Sequence, residues 1–513
     1  MIGQDNLQDD PLAASARAFN QYFLTSSSDS AAQYRTMISG LANTIAKQIE
    51  NQQQPYNGKS PAELKAAVAA IDIFPAQGTS LQEVLKRTHE LIIESNISVY
   101  HPHCLAHLHC PPFLSSLAAE LIISVFNQSM DSWDQAPAAS MIEQAVCDQL
   151  CALYGFDTDG DAVFTGGGTM SNFMGLLLAR DRYSKQQLGW DIQRQGLPAD
   201  AHRFRILCGE DAHFTVAQSA SILGLGSNAV VKIPGGRQET TQHLETAISA
   251  LTAEGLLPIA YVTTAGTTDF GAIGNLEQLA NCAHQHKMWF HVDAAYGGAL
   301  MFSQTHKHKL RGIAAADSVT IDFHKLFYQP ISCGIFMLKN KADFEYIRLH
   351  ADYLNPERNE EAGMLDLVYK SIQTTRRFDA LKPFIAMQHI GIEKFGEMID
   401  ATIALAAQVS DHIESDPDFE LAYRTPINAV VFRYLPQNDD DEQLADLLNE
   451  QIKTDLLLSG KAIIGQTSIN GKAFLKFTLL NPTTTFNDVT NLLGQIKTLG
   501  QTLQLTLQTT SLA

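Results

Sequence analysis

The sequence lacks a long uninterrupted run of hydrophobic residues, although 45% of its 513 residues are hydrophobic. No segment approaches the roughly 18–20 consecutive apolar residues that span a bilayer, so we expect no membrane helix. The opening segment has neither a basic start nor an apolar stretch and does not resemble a secretory signal. Seven cysteines, an odd number scattered along the chain, do not make a disulfide framework. We therefore expect a cytoplasmic protein with reduced thiols.

Basic residues are also scarce. The sequence has 36 Lys and Arg against 55 Asp and Glu, which gives a net charge of −19. It has no cluster of basic residues of the kind that binding to nucleic-acid phosphates requires. We therefore expect no nucleic-acid partner, and the charge is compatible with a small-molecule substrate, including a cationic one. Net charge mainly affects solubility, so an ordinary solvated acidic surface also explains the excess of acidic residues.

The patterns along the chain predict three parts. Residues 1–95 carry helix-spaced apolar positions and are predicted to form an N-terminal helical arm or dimerisation segment. Residues 96–385 alternate short β-branched runs with helical patterns, which favours an α/β layer with a mostly parallel sheet. Residues 386–513 are predicted to form a smaller α/β domain. The strand candidates of the middle part are Arg205–Cys208, Ala229–Ile233, Ile259–Thr264, Trp289–Val292 and Val319–Ile321.

The C-terminal part begins with a long amphipathic pattern and continues as strand, helix, hairpin and helix. Ala429–Leu435 is predicted to be a strand and Leu444–Leu458 a helix, and Asn470-Gly471 is a tight-turn signal between two strand-like runs. The polar tail from Thr502 carries no interpretable pattern. The apolar face of the long helix is predicted to hold Phe395, Ile399, Ile403, Ala406 and Ile413.

An acid and a lysine lie where two predicted strands end. Asp293 lies in the stretch HVDAAYGGAL, and Lys325 closes the stretch SVTIDFHK. Open α/β sheets bind ligands at the carboxyl ends of their strands, so these two side chains can converge although 32 positions separate them. A buried ion pair without any chemistry explains the same two residues.

Together, HVDAAYGGAL and SVTIDFHK resemble the signature of the group II pyridoxal-phosphate-dependent amino-acid decarboxylases. The likeness extends over residues 70–500, and the motifs occur in the family's order. It implies pyridoxal-phosphate fold type I, which is aspartate-aminotransferase-like: a large domain with a mostly parallel sheet, a smaller C-terminal α/β domain and an N-terminal helical segment. It also implies pyridoxal 5′-phosphate as the cofactor and a homodimer with the active site at the subunit interface.

The chemistry of that cofactor explains the residue types. A lysine forms a Schiff base with the aldehyde, and an acid keeps the pyridine nitrogen protonated so that the ring accepts electrons released at the α-carbon. The resemblance assigns the first role to Lys325 and the second to Asp293. Ala295 is small enough for the ring to lie flat against the backbone, and His324 is implied to contact the phosphate.

The glycine-rich stretch TGGGTMSN, residues 165–172, directly precedes a helical run. Backbone N–H groups at a helix N-terminus suit a phosphate, although a glycine triplet alone is more often only a turn. Its place upstream of the Asp/Lys pair and its match to the family favour phosphate binding. The predicted contacts are Gly168, Thr169 and Ser171.

Three more residues are assigned by resemblance. His213 in DAHF is implied to stack over the cofactor ring, although a lone histidine after a strand is often structural. Thr268 in TAGTT is implied to donate a hydrogen bond to a ring substituent. Tyr353 in ADYLN matches a mobile loop whose tyrosine returns a proton to the α-carbon, and such a lid also excludes water. In a polar loop a tyrosine is otherwise simply a surface residue.

The segment HPHCLAHLHC, residues 101–110, has four histidines and two cysteines and invites a zinc interpretation. Its spacing is not that of a usual Cys/His site, so we expect no metal. The resemblance makes it a wall of the substrate pocket, with His107 and Leu108 as substrate contacts. Arg376 and Arg377 match a region that helps build the family's phosphate site across the dimer interface, or else they only form salt bridges.

The resemblance implies decarboxylation of an L-amino acid. The stretches NQSMDSWDQAPA, HPHCLAHLHCPP and QTTRRFDALK are closest to the bacterial diamino-acid branch. We therefore predict conversion of L-lysine to cadaverine or of L-2,4-diaminobutyrate to 1,3-diaminopropane, which would supply a diamine for siderophore biosynthesis. Asp131 and Asp134 could receive the distal ammonium of such a substrate, and surface solvation explains them equally well.

Other activities stay open at this level. The stretch LFYQP after the lysine differs from the diaminobutyrate enzymes and keeps lysine in contention. Decarboxylation of glutamate, ornithine or an aromatic amino acid is an alternative, as is another fold-type-I reaction such as aminotransfer. A cofactor-free binding protein is a more distant alternative, and it would predict no visible absorbance and no turnover.

Overall fold

A computed structural model gives the structure of the protein, and it describes residues 18–235, 239–348, 351, 354–436 and 441–511. The chain divides into two compact units, Met1–Ser98 with Leu458–Lys461 and Val99–Leu457 with Ala462–Ala513. The domain boundaries proposed after residues 95 and 385 stay predictions. In the described part of the chain, no helix is long and apolar enough to cross a membrane. All seven cysteines are buried and free.

The first unit is helical. Its helices are α1 (Ser28–Asn51), α2 (Pro61–Ala69) and α3 (Leu81–Leu91). Helix α2 starts with a capping box, in which the Ser60 hydroxyl accepts from the Glu63 amide and the Glu63 carboxylate accepts from the Ser60 amide. Proline at the first helical position fits the same start. The predicted N-terminal helical segment is confirmed.

The second unit contains a seven-stranded sheet in the order β1-β7-β6-β5-β4-β2-β3. Strand β7 pairs antiparallel with β1 and β6, and the other pairings are parallel. The strands are β1 (Asp161–Thr165), β2 (Phe204–Gly209), β3 (Val230–Ile233), β4 (Leu257–Thr264), β5 (Trp289–Asp293), β6 (Ser318–Asp322) and β7 (Gly334–Leu338). The predicted mostly parallel sheet and all five strand candidates are confirmed, whereas β1 and β7 were not predicted.

Helices cover both faces of this sheet. Along β1, the side chains of Ala162 and Phe164 belong to one buried cluster and that of Val163 to another, as expected when neighbouring residues face opposite sides of a strand. The two clusters are therefore the two core layers of a helix–sheet–helix arrangement. The remaining helices up to the second sheet are α4 (Leu114–Phe126), α5 (Pro137–Leu153), α6 (Gly168–Leu188), α7 (Ile192–Gln195), α8 (Thr215–Ile222), α9 (Thr241–Ala253), α10 (Leu276–Gln285), α11 (Glu357–Glu361), α12 (Leu381–Ile390) and α13 (Ile392–Ser415).

A smaller antiparallel sheet follows, in the order β10-β11-β9-β8. Its strands are β8 (Phe419–Tyr423), β9 (Ala429–Tyr434), β10 (Gly465–Ile469) and β11 (Lys472–Thr478), and its helices are α14 (Glu442–Leu458) and α15 (Phe486–Ser511). Asn470 and Gly471 have φ values of 52° and 82°, the left-handed pair that a tight hairpin requires. The predicted hairpin, long amphipathic helix and smaller C-terminal α/β part are confirmed. The tail from Thr502 continues α15.

Candidate active site

The carboxyl ends of the central parallel strands surround a cavity of about 650 Å³. Thr264 ends β4, Asp293 ends β5 and Asp322 ends β6, and all three line this cavity. The position agrees with the general rule that open α/β sheets bind ligands at this edge. Parallel pairing of β4, β5 and β6 thus brings together residues that are far apart in sequence.

Most of the predicted site residues line this cavity. They are Leu108, Gly168, Thr169, His213, Thr268, Asp293, Ala295, His324 and Lys325. Two others lie elsewhere: Ser171 is fully buried with its hydroxyl 2.8 Å from Thr165 Oγ1, and His107 is exposed with a φ of 61°. Tyr353 lies outside the described residues.

Lys325 is held at the cavity by an acid from the preceding strand. Its Nζ lies 3.0 Å from Oδ2 of Asp322, and the two side chains are 21% and 3% exposed. The other carboxylate oxygen, Oδ1 of Asp322, is buried and has no hydrogen-bond partner among the described residues. His324 Nε2 lies 3.7 Å from Oδ2 of the same carboxylate. Asp322 was not predicted, although it stands in the DFHK stretch that located Lys325.

Asp293 is fixed on both of its oxygens. Oδ1 accepts from the Ala295 amide at 3.1 Å, and Oδ2 accepts from Asn172 Nδ2 at 2.8 Å. With only 5% of Asp293 exposed, these donors replace water around the carboxylate. Asn172 is a cavity residue that sequence reasoning missed, and its position in TGGGTMSN is the signal that could have found it.

His213 is half-buried at the cavity wall. Its Nδ1 lies 2.9 Å from Thr215 Oγ1, in the first turn of α8. Burial lowers the pKa of His213, while the nearby carboxylate of Asp293 acts in the opposite direction. The imidazole is therefore expected to be neutral near pH 7.

The glycines at the start of α6 let two cavity side chains approach the turn closely. Gly167 has a φ of 135°, and a Cβ on it would lie 3.0 Å from His324 Cε1. A Cβ on Gly168 would lie 2.9 Å from Asp322 Oδ2. Gly168 and Thr169 belong to the first helical turn, whose N–H groups lack helical acceptors. Such a turn suits a phosphate group.

The donor set fits pyridoxal phosphate. The cavity offers N–H groups for a phosphate, an amine for an aldehyde and a buried carboxylate for a ring nitrogen. In addition, Thr264 Oγ1 and Asp322 Oδ1 are buried in its lining without a hydrogen-bond partner in the part of the chain that the structure describes. Unpaired buried polar atoms are costly, so both are suited to a polar ligand.

Arg376 and Arg377 form salt bridges. Arg376 binds the Glu143 carboxylate at 2.9 Å and also donates to the Phe164 carbonyl at 3.2 Å. Arg377 binds Glu120 at 2.6 Å and is half-exposed. The salt-bridge alternative for the two arginines therefore describes the contacts of this chain.

The two aspartates suggested as ammonium receptors lie apart from the cavity. The Asp131 carboxylate accepts from the Ser132 amide at 3.0 Å, and the Asp134 carboxylate accepts from the Ser132 hydroxyl at 2.7 Å. Neither aspartate is among the residues that line the cavity. No group of three or more His, Cys, Asp or Glu side chains suited to a metal occurs within the described residues.

Comparison with known proteins agrees with this geometry. The pyridoxal-dependent decarboxylase conserved domain matches residues 61–435. The L-2,4-diaminobutyrate decarboxylase of Acinetobacter baumannii is 39% identical over 483 residues, which are 92% of this chain and 94% of that protein. The L-2,4-diaminobutyrate decarboxylase of Rhizobium meliloti (strain 1021) is 36% identical over 476 residues, or 92% and 93% of the two chains.

A solved structure of a similar protein has the same fold. The crystal structure of the glutamate decarboxylase domain of diaminobutyrate-pyruvate transaminase and L-2,4-diaminobutyrate decarboxylase from Vibrio parahaemolyticus aligns with a TM-score of 0.87 at 39% identity. The match covers 94% of this chain and 99% of that chain. The expected fold type I is confirmed.

Proposed function

The chain belongs to the pyridoxal-dependent decarboxylase family, and we propose that it converts L-2,4-diaminobutyrate to 1,3-diaminopropane and carbon dioxide. Its cofactor is pyridoxal phosphate and its reaction is the decarboxylation of an amino acid. The observation that carries the choice of substrate is the 39% identity to a diaminobutyrate decarboxylase over nearly the full length of both chains. The cavity that joins Lys325, Asp293 and the glycine-rich turn supports the reaction.

The roles proposed for the residues follow from their chemistry. Bound pyridoxal phosphate supplies a ring that takes up the electron pair left when the bond to the α-carboxylate breaks. Gly168 and Thr169 offer N–H groups to the phosphate, and Lys325 offers the amine that reacts with the aldehyde. The Asp293 carboxylate holds a proton on the ring nitrogen.

The walls of the cavity orient the groups that react. His213, which precedes α8, and Ala295, which follows β5, form parts of the cavity wall. Leu108 contributes an apolar surface to it. The neutral imidazole of His213 can donate a hydrogen bond without adding a positive charge beside the ring. The return of a proton to the α-carbon stays assigned to Tyr353 as a prediction.

We propose a homodimer in which the partner covers this cavity. Apolar side chains are exposed on α4, where Leu114 is 85% and Phe126 71% exposed. Near the cavity, Phe214 and Ile222 are 69% and 64% exposed, and Ile222 is part of the cavity lining. Exposed apolar surface of this kind marks an interaction site. Sedimentation equilibrium tests the proposed homodimer. We expect a dimer for the wild type and a weaker dimer for Phe126→Asp, and a wild-type monomer would contradict the proposal.

The substrate is tested by assaying carbon dioxide release from five amino acids side by side. We expect kcat/KM for L-2,4-diaminobutyrate to exceed that for L-lysine by about tenfold or more, because one methylene in a pocket already discriminates by about 10–200-fold. Ornithine, glutamate and tyrosine complete the panel. Faster turnover of lysine would contradict the proposed substrate, and keto-acid formation without carbon dioxide would contradict decarboxylation.

Two further assignments stay predictions. Delivery of the diamine to siderophore synthesis predicts that deletion of the gene impairs growth under iron limitation and that added diamine restores it. A cytoplasmic location predicts that the protein remains with the cytoplasmic fraction after gentle lysis.

A further inference from the structure

A row of buried polar side chains lies behind Asp293. Trp289 Nε1 donates to Ser318 Oγ at 2.8 Å, and Ser318 Oγ lies 2.7 Å from His291 Nδ1. His291 Nε2 lies 3.0 Å from Asn172 Oδ1, and Asn172 Nδ2 donates to Asp293 Oδ2 at 2.8 Å. All five residues are 5% exposed or less, so water does not compete for these bonds.

The direction of each hydrogen bond follows from the last one, because the Asp293 carboxylate only accepts and so turns the amide nitrogen of Asn172 toward itself and Oδ1 toward His291. Nε2 of His291 therefore donates to Asn172 Oδ1, and the Thr320 hydroxyl oxygen lies 3.3 Å from the same nitrogen. Burial lowers the pKa of His291 to about 4, so the ring is neutral and its one proton lies on Nε2. Nδ1 of His291 consequently accepts from the Ser318 hydroxyl, whose oxygen accepts from the Trp289 indole.

The second amide proton of Asn172 continues the row to the other side of the cavity. Asn172 Nδ2 donates to Thr215 Oγ1 at 3.1 Å, and Thr215 Oγ1 lies 2.9 Å from His213 Nδ1. Thr215 Oγ1 accepts from Asn172 and can donate its own proton to His213 Nδ1. The Thr215 backbone N–H also donates to that nitrogen, at 3.4 Å. His213 therefore carries its proton on Nε2.

A glycine in the middle of α6 makes room for this row. A Cβ on Gly175 would lie 2.7 Å from His291 Nδ1 and 3.2 Å from Ser318 Oγ. Glycine destabilises a helix interior relative to alanine, so its presence needs a local reason. The close approach of His291 and Ser318 supplies that reason.

We propose that this hydrogen-bond row, which starts at the indole of Trp289, sets both the orientation of the Asp293 carboxylate and the tautomer of His213 before any ligand binds. Trp289, Ser318, His291, Asn172 and Thr215 are then positioning residues. The proposal rests on the proposed roles of Asp293 and His213 in the reaction. It adds that the orientation of Asp293 and the tautomer of His213 are coupled through one side chain, the Asn172 amide, which the rest of the row holds in place.

The tautomers are tested first in the wild type. Nitrogen-15 spectra of histidine-labelled, cofactor-free protein should show His291 and His213 with the proton on Nε2, with signals assigned through His291→Gln and His213→Gln. A proton on Nδ1 of either ring would overturn the proposal. Because no substrate is added, loss of diaminobutyrate turnover with these tautomers intact would contradict only the proposed function.

Two variants then test the origin of the row. Trp289→Phe removes the indole N–H and keeps a ring beside Arg182, whose guanidinium lies 4.9 Å from the Trp289 ring. We expect His213 to populate both tautomers and the cofactor dissociation constant to rise by about 3–10-fold, as loss of one hydrogen bond implies. Gly175→Ala, which displaces His291, should have the same effect on both measurements.

Trp190→Phe is the matched control, because the Trp190 indole donates to the Gly196 carbonyl at 2.8 Å outside the row. It should leave the His213 tautomer and the cofactor affinity unchanged. An unchanged tautomer and affinity in both Trp289→Phe and Gly175→Ala would overturn the proposal. Circular dichroism checks that each variant is folded. If a variant does not fold, the tautomers of His291 and His213 in the wild-type nitrogen-15 spectra still test the proposal.

Discussion

Nζ of Lys325, on the turn that directly follows β6, lies 3.0 Å from Oδ2 of Asp322, the last residue of that strand. Burying a carboxylate destabilises a protein unless a cation or hydrogen-bond donors compensate its charge. The lysine ammonium compensates the charge of Asp322. The contact also holds the lysine amine at the cavity, beside the glycine-rich turn. The pair thus places the reactive amine and a buried, partly unsatisfied acid on the same side of the cavity.

Replacement of this lysine should abolish covalent attachment of the cofactor. For Lys325→Ala we expect kcat to fall by about a thousandfold or more, because nothing replaces the reactive amine. Absorbance spectra after gel filtration and carbon dioxide assays check this. The control is Lys307→Ala, an exposed lysine that should retain wild-type activity. Retained cofactor absorbance with full turnover in Lys325→Ala would exclude its assigned role.

The turnover rate should depend more on the charge of the Asp293 side chain than on its shape. Asp293→Asn keeps the size of the side chain but removes the carboxylate that stabilises a proton on the ring nitrogen. We expect kcat to fall by about 100-fold to 10,000-fold, in the range typical of lost proton-transfer groups, while the protein stays folded. Single-turnover kinetics with bound cofactor provide the measurement. A kcat within threefold of wild type would contradict the assignment.

Arg376 should contribute to stability through Glu143. The two side chains are 5% and 0% exposed, so Arg376→Met leaves a buried carboxylate without its partner. We expect the free energy of unfolding to fall by about 3–5 kcal/mol, as for other broken buried pairs. Arg377→Met, which breaks a half-exposed pair with Glu120, should cost less than about 1 kcal/mol.

Urea denaturation checks both arginine variants, and Glu143→Gln should restore part of the stability lost in Arg376→Met. If Arg376 instead binds the phosphate, Arg376→Met would weaken cofactor binding and leave the stability of the cofactor-free protein unchanged. That result would refute the structural assignment.

The buried His291 should make the protein less stable as the pH falls. Its pKa is lowered to about 4 by burial, so between about pH 6.5 and pH 4 the unfolded chain binds a proton that the folded chain does not. Stability contributed by the neutral ring is therefore present above this window and is lost within it. The expected loss is about 2 kcal/mol between pH 7 and pH 5.

Comparison with His291→Gln isolates this contribution, because the variant has no titrating ring at that position. The difference in unfolding free energy between pH 7 and pH 5 should be smaller in His291→Gln than in the wild type. His308→Gln, at an exposed histidine, serves as the control and should keep the wild-type slope. Equal slopes in the wild type and His291→Gln would contradict the predicted linkage.

Several elements were predictable because their signals are local. The five strand candidates of the large sheet have β-branched runs beside turn residues, and Asn470-Gly471 marks a hairpin by itself. Strands β1 and β7 were missed because a five-residue run that is buried throughout has no alternation to distinguish it from helix, although β5 and β6 share this pattern and were predicted. Site residues next to strand ends were located for the same local reason.

The placement of Ser171 shows where local reasoning stops. Ser171 was predicted to contact the phosphate, yet its hydroxyl contacts Thr165 while the next residue, Asn172, lines the cavity. Successive residues of a helix point about 100° apart, so only the placement of α6 on the sheet decides which side chain faces the ligand. Motif matching cannot supply that rotation.

The sequence by itself determined the fold class through local patterns, and it determined the cofactor and the type of reaction through the resemblance of its short motifs to a known family. Only the tertiary structure decided which side chains form hydrogen bonds and ion pairs with one another. Asn172 and Asp293 are 121 positions apart, and Arg376 and Glu143 are 233 apart. Which of these side chains meet depends on the order of strands and on the rotation of the helices packed against them. Buried hydrogen bonds are directional and short, so their partners follow from that packing.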